Sequence, residues 1–478
     1  MIALSLSEIA AAVDGELRLH GADEPATVVS GVVDTDSRNM TAGGVFVAKP
    51  GETTDGHLFV GTAVSRGAVL ALVERVVDEP VTQIVVADVV VAIAQLAREV
   101  VSRVRASGRL RIVGITGSNG KTTTKNMLAT ILRPEGETVA PVGSYNNSVG
   151  APLTMLRVTH DTRYLVCEFG ADASGQIARL AGLVTPDVGV VLMVGMAHAG
   201  GFGGIESTVR AKSELVSAIR ATPLPGQDAP GIAVLNADDP RVAGMASIAD
   251  DRGLAVRWFG EADAADVRAS GLRVTAEGTD ATVTVDGQDL PLHLRVLGAH
   301  HVKNAVAAIT AAVALGVDPA AAVERVGELE LAERWRMQVM GSDRVRIIND
   351  AYNASPDSMS AALRTLAQIT RPDERMVAVL GAMSELGEHA HEEHAKIGLL
   401  AVRLRIPRIV VVGDEARSLY LAAVAEGSWS DEAVFFSDAD EAFAYLQGEL
   451  RDGDRVLVKS SNSAGLRFLG DRLGESFT

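Results

Sequence analysis

Short apolar runs rich in branched side chains alternate, over most of the chain, with longer stretches of helical spacing. The strand candidates include RLRIVGI, YLVCEF, VGVVLMV and IAVLN, and the helix candidates include STVRAKSELVSAIR and HVKNAVAAITAAVALG. Strands that alternate with helices in this way usually pair in parallel and are covered by helices on both faces. The pattern therefore predicts an α/β fold whose main sheet is mostly parallel.

Two changes in this pattern predict three units. Residues 1–107 read as a small α/β unit in which LSLSEIAAAVDG and VVAIAQLAREVVSRVRA are helices. A central unit at 108–330 begins with RLRIVGI, and its segment ATVTVDGQDLPLHLRV alternates around Asp286-Gly287 as a β-hairpin does. A third, Rossmann-like alternation of strands and helices occupies residues 331–478.

The composition limits the classes of protein that the chain can represent. Of the 478 residues 47% are apolar, which is enough for several cores, and the formal net charge is −17. Such an acidic balance argues against a nucleic-acid partner or an anionic-membrane anchor. Cys167 is the single cysteine, so internal disulfides and cysteine-rich metal sites are excluded. The N-terminal residues do not resemble a signal peptide and no apolar stretch approaches 18 residues, so we expect a cytoplasmic protein without a membrane span.

The segment GITGSNGKTTTKN at 114–126 has the character of a phosphate-binding loop. Gly120, Lys121 and Thr122 fit the second half of the pattern G-x-x-x-x-G-K-[ST], whereas Ile115 stands where the first glycine is expected. Backbone N–H groups at the start of the following helix would bind phosphate oxygens, Lys121 would reach the β- and γ-phosphates, and the Thr122 hydroxyl would bind Mg²⁺. The alternative is a glycine-rich turn before an ordinary helix. The segment predicts a nucleoside triphosphate, but not its use.

Polar residues near the ends of neighbouring strands are candidates for handling the charge of the triphosphate. Glu168 follows the apolar residues YLVC, where an ionised carboxylate is costly unless it meets a cation. His198 follows VGVVLMV, and a glycine-rich loop then leads to a helix that carries Lys212. A structural glutamate, and a lysine at the solvated edge of a helix, are the alternatives. A phosphate loop in the same sheet favours Glu168 as a metal ligand.

With these segments in view, the chain resembles the Mur ligases of peptidoglycan synthesis, ATP-dependent amide-bond-forming enzymes related to folylpolyglutamate synthetases. The resemblance covers essentially the whole chain and rests on GITGSNGKTTTK, EFGA, HAGGFGGIESTVRAKSEL, NADD, GAHHVKNAVAA and NDAYNASPDSM. It implies that Thr122 and Glu168 hold one Mg²⁺ and that His198 and a carbamylated Lys212 help to hold a second. The implied catalytic residues are Lys121, Glu168, His198 and Lys212.

The resemblance also implies which residues bind ATP. Those of the phosphate loop are Gly117, Asn119, Gly120, Lys121, Thr122 and Thr123. Beyond it, Asn304 is implied at the adenine, Arg336 at the phosphates and Asp350 at the ribose. His300 and Asn304 lie one helical turn apart and are expected to share a face. His301, next to His300, is expected to point elsewhere and to have a structural role.

Three segments are similar to the branch of the family that adds D-alanyl-D-alanine to UDP-N-acetylmuramoyl-tripeptide, namely SYNNSVGAPLT, NDAYNASPDSM and GAMSELGEHAHEEHAKIG. The first unit carries DTDSRNMTAGGVFVAKPGETTDGH, the form that binds the UDP-sugar, although Asp36-Ser37-Arg38 is also consistent with a surface turn. The resemblance implies a monomer that uses ATP, UDP-MurNAc-tripeptide and D-Ala-D-Ala. The implied substrate-binding residues are Ser37, Arg38, Lys49, Asn146, Asn147, Tyr352, Asn353, Ser355 and Lys459.

Two positions depart from the family pattern. Trp335 precedes Arg336, where the family usually has glycine. The last strand ends in Lys459-Ser460-Ser461-Asn462, where Lys-Gly-Ser-Arg is common. A planar guanidinium that could hold the carboxylate of the incoming dipeptide is therefore absent at Asn462. Lys459 or another arginine is expected to hold that carboxylate.

The implied reaction has two steps. The terminal carboxylate of the tripeptide attacks the γ-phosphate of ATP, and the amine of the dipeptide then attacks the acyl phosphate. Closure of the third unit is expected to bring Asp350 onto the nucleotide. A sister Mur ligase or a folylpolyglutamate-type ligase is the first alternative, and a P-loop NTPase or a nucleotide-binding scaffold are the others. Diaminopimelate and lysine are both compatible with the third position of the tripeptide.

Overall fold

Three main β-sheets follow one another along the sequence. The computed structural model describes residues 1–51, 53–196, 204–223, 229–329, 334–426 and 432–478. In these residues the three sheets have five, nine and six strands, and a separate two-stranded sheet pairs Leu4–Ser5 with Val28–Val29. The predicted class, a three-domain α/β fold with mostly parallel sheets, is confirmed.

The N-terminal sheet is parallel except at one edge. Its strands, in spatial order, are Glu16–Arg18, Thr82–Val85, Ala68–Val73, Gly44–Val47 and Val33–Asp34. Glu16–Arg18 runs antiparallel to its neighbour, and the other pairs are parallel. Helices in this part of the chain are Leu6–Ala12, Val60–Ser65 and Val89–Arg105, with 3₁₀ turns at Ser37–Asn39 and Gly56–Phe59.

The central sheet carries the phosphate loop near its middle. Its strands, in spatial order, are Gln288–Leu294, Thr279–Val285, Val267–Val274, Ala255–Gly260, Ile232–Asn236, Val188–Val191, Arg111–Thr116, Tyr164–Glu168 and Thr138–Val139. The three strands from Val267 to Leu294 pair antiparallel, whereas the remaining pairs are parallel. The hairpin predicted at Asp286-Gly287 is confirmed, and both residues have positive φ, as such a two-residue turn requires.

Helices cover both faces of the central sheet. The described α-helices of this unit are Lys121–Leu132, Gly150–Met155, Gln176–Gly182, Ile205–Ala218, Pro240–Ala243, Ala246–Asp251, Ala299–Ala314 and Pro319–Gly327, and Arg133–Glu135 is a 3₁₀ turn. Ala299–Ala314 packs against Lys121–Leu132 on one face, while Gln176–Gly182 and Ile205–Ala218 pack together on the other. The helix that follows the phosphate loop therefore lies on one face of the sheet, and the helix that carries Lys212 lies on the other.

The C-terminal sheet is parallel apart from one edge hairpin. Its strands, in spatial order, are Gln338–Gly341, Val345–Asn349, Asp454–Lys459, Arg375–Leu380, Arg408–Val412 and Ala433–Phe436. The first two strands pair antiparallel. The α-helices of this unit are Pro356–Ile369, Ala390–Arg403, Arg417–Ala425, Ala439–Glu449 and Leu466–Ser476, with 3₁₀ turns at Gly387–His389, Asp414–Ala416 and Asn462–Ala464.

The apolar core does not follow the borders between the sheets. One cluster includes Leu96 in the long N-terminal helix together with Leu165 and Leu215 of the central unit. At the same border, Asp187 accepts hydrogen bonds from Arg105 at 2.7 Å and Arg220 at 2.9 Å. The C-terminal sheet has a separate cluster on each face. In the described ranges, no helix is long and apolar enough to cross a membrane.

Candidate active site

Two candidate functional segments meet at one edge of the central sheet because their strands are neighbours. The strand Arg111–Thr116 lies between Tyr164–Glu168 on one side and Val188–Val191 on the other. The strands that follow Arg111–Thr116 in the sequence lie on both sides of it in the sheet, so the strand order reverses here. In open α/β sheets, ligands bind beyond the carboxyl ends of the strands at the point where the strand order reverses. The phosphate loop and Glu168 lie at this edge.

The phosphate loop packs so closely that two of its glycines have no room for a side chain. A Cβ on Gly120, whose φ is +85°, would lie 2.3 Å from Oδ1 of Asn304, and a Cβ on Gly117 would lie 2.9 Å from that of Leu192. Lys121 folds back over the loop, where its ammonium donates to the carbonyl of Gly117 at 2.7 Å. Burial lowers the pKa of Lys121, and the nearby Glu168 carboxylate opposes this shift. The loop thus places the Lys121 ammonium at the start of the helix Lys121–Leu132, where a triphosphate would meet both this charge and the N–H groups of the first helical turn.

The two oxygens of the Glu168 carboxylate are in different surroundings. Oε1 accepts a hydrogen bond from Asn146 Nδ2 at 2.8 Å, whereas the buried Oε2 has no hydrogen-bond partner among the described residues, although Glu168 is only 1% exposed. Burying an ionised oxygen without a partner is costly, so the site suits a cation at Oε2. The Thr122 hydroxyl lines the same cleft and lies 3.1 Å from Ser144 Oγ. A hydroxyl and a carboxylate are oxygen ligands that fit Mg²⁺.

The second predicted metal site is only partly described. Lys212 lies in the helix Ile205–Ala218 and is 1% exposed. The pKa of Lys212 is lowered to about 7, mainly by burial and also by the charge of Lys121, while Glu214 and Asp172 oppose the shift. His198 lies outside the described residues. Among the residues that are described, no group of three or more His, Cys, Asp or Glu could hold a metal ion.

The C-terminal unit contributes an arginine to the phosphate loop. Arg336 Nη2 lies 3.3 Å from the Thr122 hydroxyl and 3.1 Å from Ser144 Oγ. Its guanidinium lies 4.2 Å from the ring centroid of Tyr352, whose own hydroxyl is 3.3 Å from Ser144 Oγ. Ser355 Oγ is 3.1 Å from Asn119 Oδ1. Arg336 is thus held beside the position where a triphosphate would lie.

Asp350 and Lys459 form an ion pair that lines the opposite wall. Lys459 Nζ lies 2.6 Å from Asp350 Oδ2 and also donates to the carbonyl of Asn353 at 3.0 Å. The second oxygen of Asp350 accepts from the backbone N–H of Met337 at 3.0 Å. These bonds fix the Asp350 carboxylate, and they occupy the Lys459 ammonium.

The prediction that His301 points away from His300 is wrong. Both histidines line the cleft, with ring centroids 4.1 Å apart, and neither buried ring nitrogen of His301 has a hydrogen-bond partner in the part of the chain that the structure describes. The helix begins at Ala299 and its first turn faces the cleft, so that two consecutive side chains reach it. Burial lowers the pKa of His300 to about 4, partly opposed by Asp350, and lowers that of His301 as well. Both rings are neutral near pH 7.

Most of the residues predicted for the nucleotide and the acceptor meet in one open cleft with an empty volume of about 1310 Å³. The predicted residues that line it are Asn119, Gly120, Lys121, Thr122, Thr123, Asn146, Asn147, Glu168, Asn304, Arg336, Asp350, Tyr352, Asn353 and Lys459. Gly117, Lys212 and Ser355 do not line it. Ser355 caps the helix Pro356–Ile369 instead.

The residues predicted for the UDP-sugar do not line this cleft. Ser37 is buried in a 3₁₀ turn, and the exposed Arg38 pairs with Asp36 at 2.6 Å. Lys49 Nζ lies 3.3 Å from the carbonyl of Pro50. A UDP-sugar site formed by these residues therefore belongs to a different surface, on the N-terminal unit.

Sequence reasoning missed Ser144. Its hydroxyl lies within 3.3 Å of Thr122, Arg336 and Tyr352, and so joins the phosphate loop to the C-terminal unit. The signal was present, since Ser144 opens the segment SYNNSVGAPLT. A serine in a loop has no periodicity that would distinguish it from a turn residue.

Comparison with known proteins agrees with this arrangement. Family models match residues 31–110 as "Mur ligase family, catalytic domain", residues 115–312 as "Mur ligase middle domain", and residues 335–462 as "Mur ligase, glutamate ligase domain". The three matches follow the three sheets.

Relatives match the chain along nearly its whole length. A UDP-N-acetylmuramoyl-tripeptide–D-alanyl-D-alanine ligase of Mycobacterium tuberculosis is 40% identical over 99% of this chain and 98% of the relative. A crystal structure of MurF from Acinetobacter baumannii has a TM-score of 0.86 and 30% identity, covering 99% of both chains. MurF from Thermotoga maritima in complex with ADP has a TM-score of 0.76 and 26% identity, over 94% of this chain and 97% of that one. The chain belongs to the Mur ligase family.

Proposed function

We propose that this chain is an ATP-dependent ligase that joins D-alanyl-D-alanine to the terminal carboxylate of UDP-N-acetylmuramoyl-tripeptide, releasing ADP and phosphate. The observation that carries the ligase assignment is the cleft in which the Lys121 loop faces Arg336, Asp350 and Lys459 of the C-terminal unit. A phosphate loop enclosed by a second unit suits a reaction between ATP and further substrates. The proposed substrates are those for which the full-length relatives are named.

In this proposal each of the three units binds a different substrate. Residues 1–107 bind the UDP-sugar through Ser37, Arg38 and Lys49, and residues 108–330 bind ATP. Residues 331–478 bind the dipeptide and close over the nucleotide. The sheet and the family match in each third of the chain support this division. We also propose that the protein acts as a monomer in the cytoplasm, where ATP is available.

In the first step a carboxylate oxygen of the tripeptide attacks the γ-phosphorus of ATP, and the bond between that phosphorus and ADP breaks. Carboxylate and triphosphate repel each other, so their approach requires positive charge. Lys121 in the loop and Arg336 beside Thr122 supply it. Within the described residues, the acceptors of the partly buried Lys121 ammonium are two loop carbonyls, and a phosphate oxygen is a stronger partner for it.

In the second step the amine of the dipeptide attacks the carbonyl carbon of the acyl phosphate. The amine loses a proton, and the phosphate leaves with the electrons of its bond to carbon. Asn146, bonded to Glu168, and the neighbouring Asn147 line the cleft where the acyl group would lie. The neutral rings of His300 and His301 add no charge to the cleft.

Mg²⁺ fits the residues present, because Glu168 has an unpartnered buried oxygen next to the phosphate loop. In this proposal Thr122 and Glu168 hold one ion, and His198 and Lys212, as its carbamate, help to hold a second. The ions supply charge neutralisation on the phosphate oxygens. Carbamylation requires a neutral amine, and the lowered pKa of Lys212, about 7 because of burial, supports it.

The test is phosphate release from ATP with UDP-MurNAc-tripeptide and a panel of amines. We expect release that depends on D-alanyl-D-alanine, and little with glutamate or diaminopimelate. Lys121→Ala should abolish it, whereas Lys396→Ala, in an exposed pair with Glu392, should retain it. Release with glutamate would favour a folylpolyglutamate-type ligase, and release without any amine would favour an NTPase. Parallel assays with the lysine and diaminopimelate tripeptides identify the third residue.

A further inference from the structure

A polar cluster lies just beyond the cleft, where the strand Asp454–Lys459 ends. Ser384 Oγ lies 2.8 Å from Ser461 Oγ and 2.7 Å from Ser463 Oγ, so three hydroxyls form a ring. They belong to the loops that follow two neighbouring parallel strands, Arg375–Leu380 and Asp454–Lys459. Lys459 itself lines the cleft. The cluster therefore begins two residues beyond the cleft wall.

Arg467 contacts the loop that carries Ser461 and Ser463, and among the described residues only part of its guanidinium forms hydrogen bonds. Its Nη1 donates to the carbonyl of Asn462 at 2.6 Å and also to the Asn462 side chain, between the two serines of the loop. The guanidinium lies 5.3 Å from the ring centroid of Trp335 and 4.4 Å from that of Phe468. Within the described part of the chain, Nε and Nη2 of Arg467 make no hydrogen bond, and Arg467 makes no ion pair.

Neighbouring cations are already paired. Arg334, on the ring of Trp335 at 4.8 Å, forms an ion pair with Asp471 at 2.7 Å. Asp471 also accepts from Trp335 Nε1 at 3.0 Å. Lys459 is 3% exposed in its side chain and is bound to Asp350. Arg467 is thus the cation in this group with donors left for an outside anion.

Two chain segments join Arg467 to the cleft. Trp335, which packs on Arg467, precedes Arg336 of the cleft. Asn349, whose Nδ2 donates to the carbonyl of Arg467 at 2.9 Å, precedes Asp350 of the cleft. On both segments the residue next to Arg467 is adjacent in sequence to a cleft residue. An extended dipeptide spans about 7 Å, so a group that holds its carboxylate must lie just outside the cleft where its amine reacts.

We propose that Arg467, together with the hydroxyls of Ser384 and Ser463, binds the free carboxylate of the acceptor dipeptide. This assignment rests on the proposed function and names the residue that recognises the far end of its acceptor. The rings of Trp335 and Phe468 hold the guanidinium plane, which favours a bidentate carboxylate contact over a mobile point charge. Gly465 begins the helix Leu466–Ser476 without a side-chain cap, so the N–H groups of its first turn add positive potential at the same place.

Steady-state phosphate release tests the assignment. For Arg467→Gln we expect the KM for D-alanyl-D-alanine to rise about 10- to 100-fold, the usual effect of losing a charge-assisted hydrogen bond. The kcat and the KM values for ATP and UDP-MurNAc-tripeptide should change less than about twofold, because Arg467 touches neither. Arg467→Lys should recover part of the affinity. Arg472→Gln is the matched control, since Arg472 lies on the same helix, pairs with Asp440 and should leave every constant unchanged.

A change in the acceptor isolates the contact. The unmodified chain should bind D-alanyl-D-alaninamide, which lacks the carboxylate, at least as weakly as Arg467→Gln binds the natural dipeptide. Arg467→Gln should lose much less than the unmodified chain does when the amide replaces the dipeptide, because only the serine hydroxyls still contact the carboxylate in the variant. An unchanged KM for the dipeptide in Arg467→Gln, a rise in the KM for UDP-MurNAc-tripeptide instead, or the full amide penalty in the variant would each overturn the assignment and leave the proposed function standing. Absence of dipeptide-dependent release by the unmodified chain would overturn both.

Discussion

Glu168 shows most clearly how a single residue of the cleft prepares it for a cation. Among the described residues, its Oε2 is buried without a hydrogen bond beside the phosphate loop. The sequence already indicated a cation there, because an acidic residue ended an apolar strand in the sheet that carries the loop. The sequence could not indicate that Asn146 would take one oxygen and leave the other, since this depends on how a loop folds over the strand.

Glu168→Gln tests the cation at residue scale. The substitution keeps the size of the side chain and removes the negative charge, so we expect phosphate release to fall about 100-fold or more. The Mg²⁺ concentration required for half-maximal rate should rise as well. Glu426→Gln, in an exposed pair with Arg403, is the control and should behave as the unmodified chain. Equal Mg²⁺ dependence in Glu168→Gln and the unmodified chain would contradict a role as ligand.

Lys212 gives a pH-dependent prediction. Burial lowers its pKa to about 7, so between about pH 7 and 10 the unfolded chain binds more protons at this lysine than the native chain does. The free energy of unfolding therefore rises with pH in this window, by up to about 1.4 kcal/mol per pH unit. We expect the stability of the unmodified chain to rise relative to Lys212→Met between pH 7 and 9, as measured by urea unfolding in CO₂-free buffer.

Repeating the unfolding measurement in the presence of bicarbonate tests carbamylation of Lys212. Carbamylation of the native chain stabilises it by mass action, so bicarbonate should raise the stability of the unmodified chain and leave Lys212→Met unchanged. A stability difference between the two proteins that does not vary with pH would refute the lowered pKa. A bicarbonate effect of the same size in both would refute carbamylation at Lys212.

At the scale of elements, the start of the helix Lys121–Leu132 is the point where local sequence and tertiary packing meet. Gly120 caps the helix with φ of +85°, and Gly175 caps the helix Gln176–Gly182 with the same φ. A Cβ on Gly120 would meet Asn304, whereas a Cβ on Gly175 would meet nothing within 4 Å. Both glycines therefore have a left-handed backbone conformation, but only Gly120 has a neighbouring residue that a side chain would displace.

This difference predicts unequal effects of alanine. Gly175→Ala should lower the free energy of unfolding by about 1–2 kcal/mol, the usual cost of a left-handed residue with a side chain. Gly120→Ala should have that cost and also displace Asn304, so its affinity for ATP should fall by at least about tenfold in calorimetric titration. Equal ATP affinity in the two variants would show that Asn304 does not contribute to the nucleotide site.

Local sequence patterns predicted individual helices and strands correctly, but they did not predict which residues of different elements contact one another. The alternation around Asp286-Gly287 and the spacing of HVKNAVAAITAAVALG each indicated the observed element, because side-chain period and turn chemistry are local. His301 was misplaced because spacing along an ideal helix says nothing about whether the helix meets the cleft by its side or by its end. The contact of Arg336 with Thr122 joins residues 214 positions apart, which no local pattern specifies.

At the scale of the whole molecule, the cleft exists only because two units approach each other. Asp357 Oδ2 accepts a hydrogen bond from the backbone N–H of Met196 at 3.3 Å, and Ser355 binds Asn119. Burial raises the pKa of Asp357, and the Met196 hydrogen bond opposes that shift. Holding substrates in reactive geometry can contribute about 7–11 kcal/mol to catalysis, so contacts that favour the closed arrangement affect the rate.

Asp357→Ala tests the contribution of these contacts to closure. We expect the variant to have a larger radius of gyration than the unmodified chain when both carry a non-hydrolysable ATP analogue and UDP-MurNAc-tripeptide, by small-angle X-ray scattering. Asp440→Ala is the control, since Asp440 also lies in the first turn of a helix but is exposed and pairs with Arg472. Identical scattering from Asp357→Ala and the unmodified chain would show that closure does not depend on this hydrogen bond.

The apolar core that crosses the border near residue 107 determines which fragments of the chain are suitable for separate expression. A chain cut there would leave Leu96 on one piece and Leu165 and Leu215 on the other, so that the apolar cluster they share would be split. The ion pair of Asp187 with Arg105 would be divided at the same cut, whereas Arg220, the other partner of Asp187, would stay on the same piece as Asp187. The clusters on the two faces of the C-terminal sheet, by contrast, take nearly all of their described residues from the C-terminal unit, with Leu297 and Val274 as the contributions of the central unit. A truncation that begins near residue 335 is therefore a sound target for separate expression, whereas the first two units should be produced as a single piece.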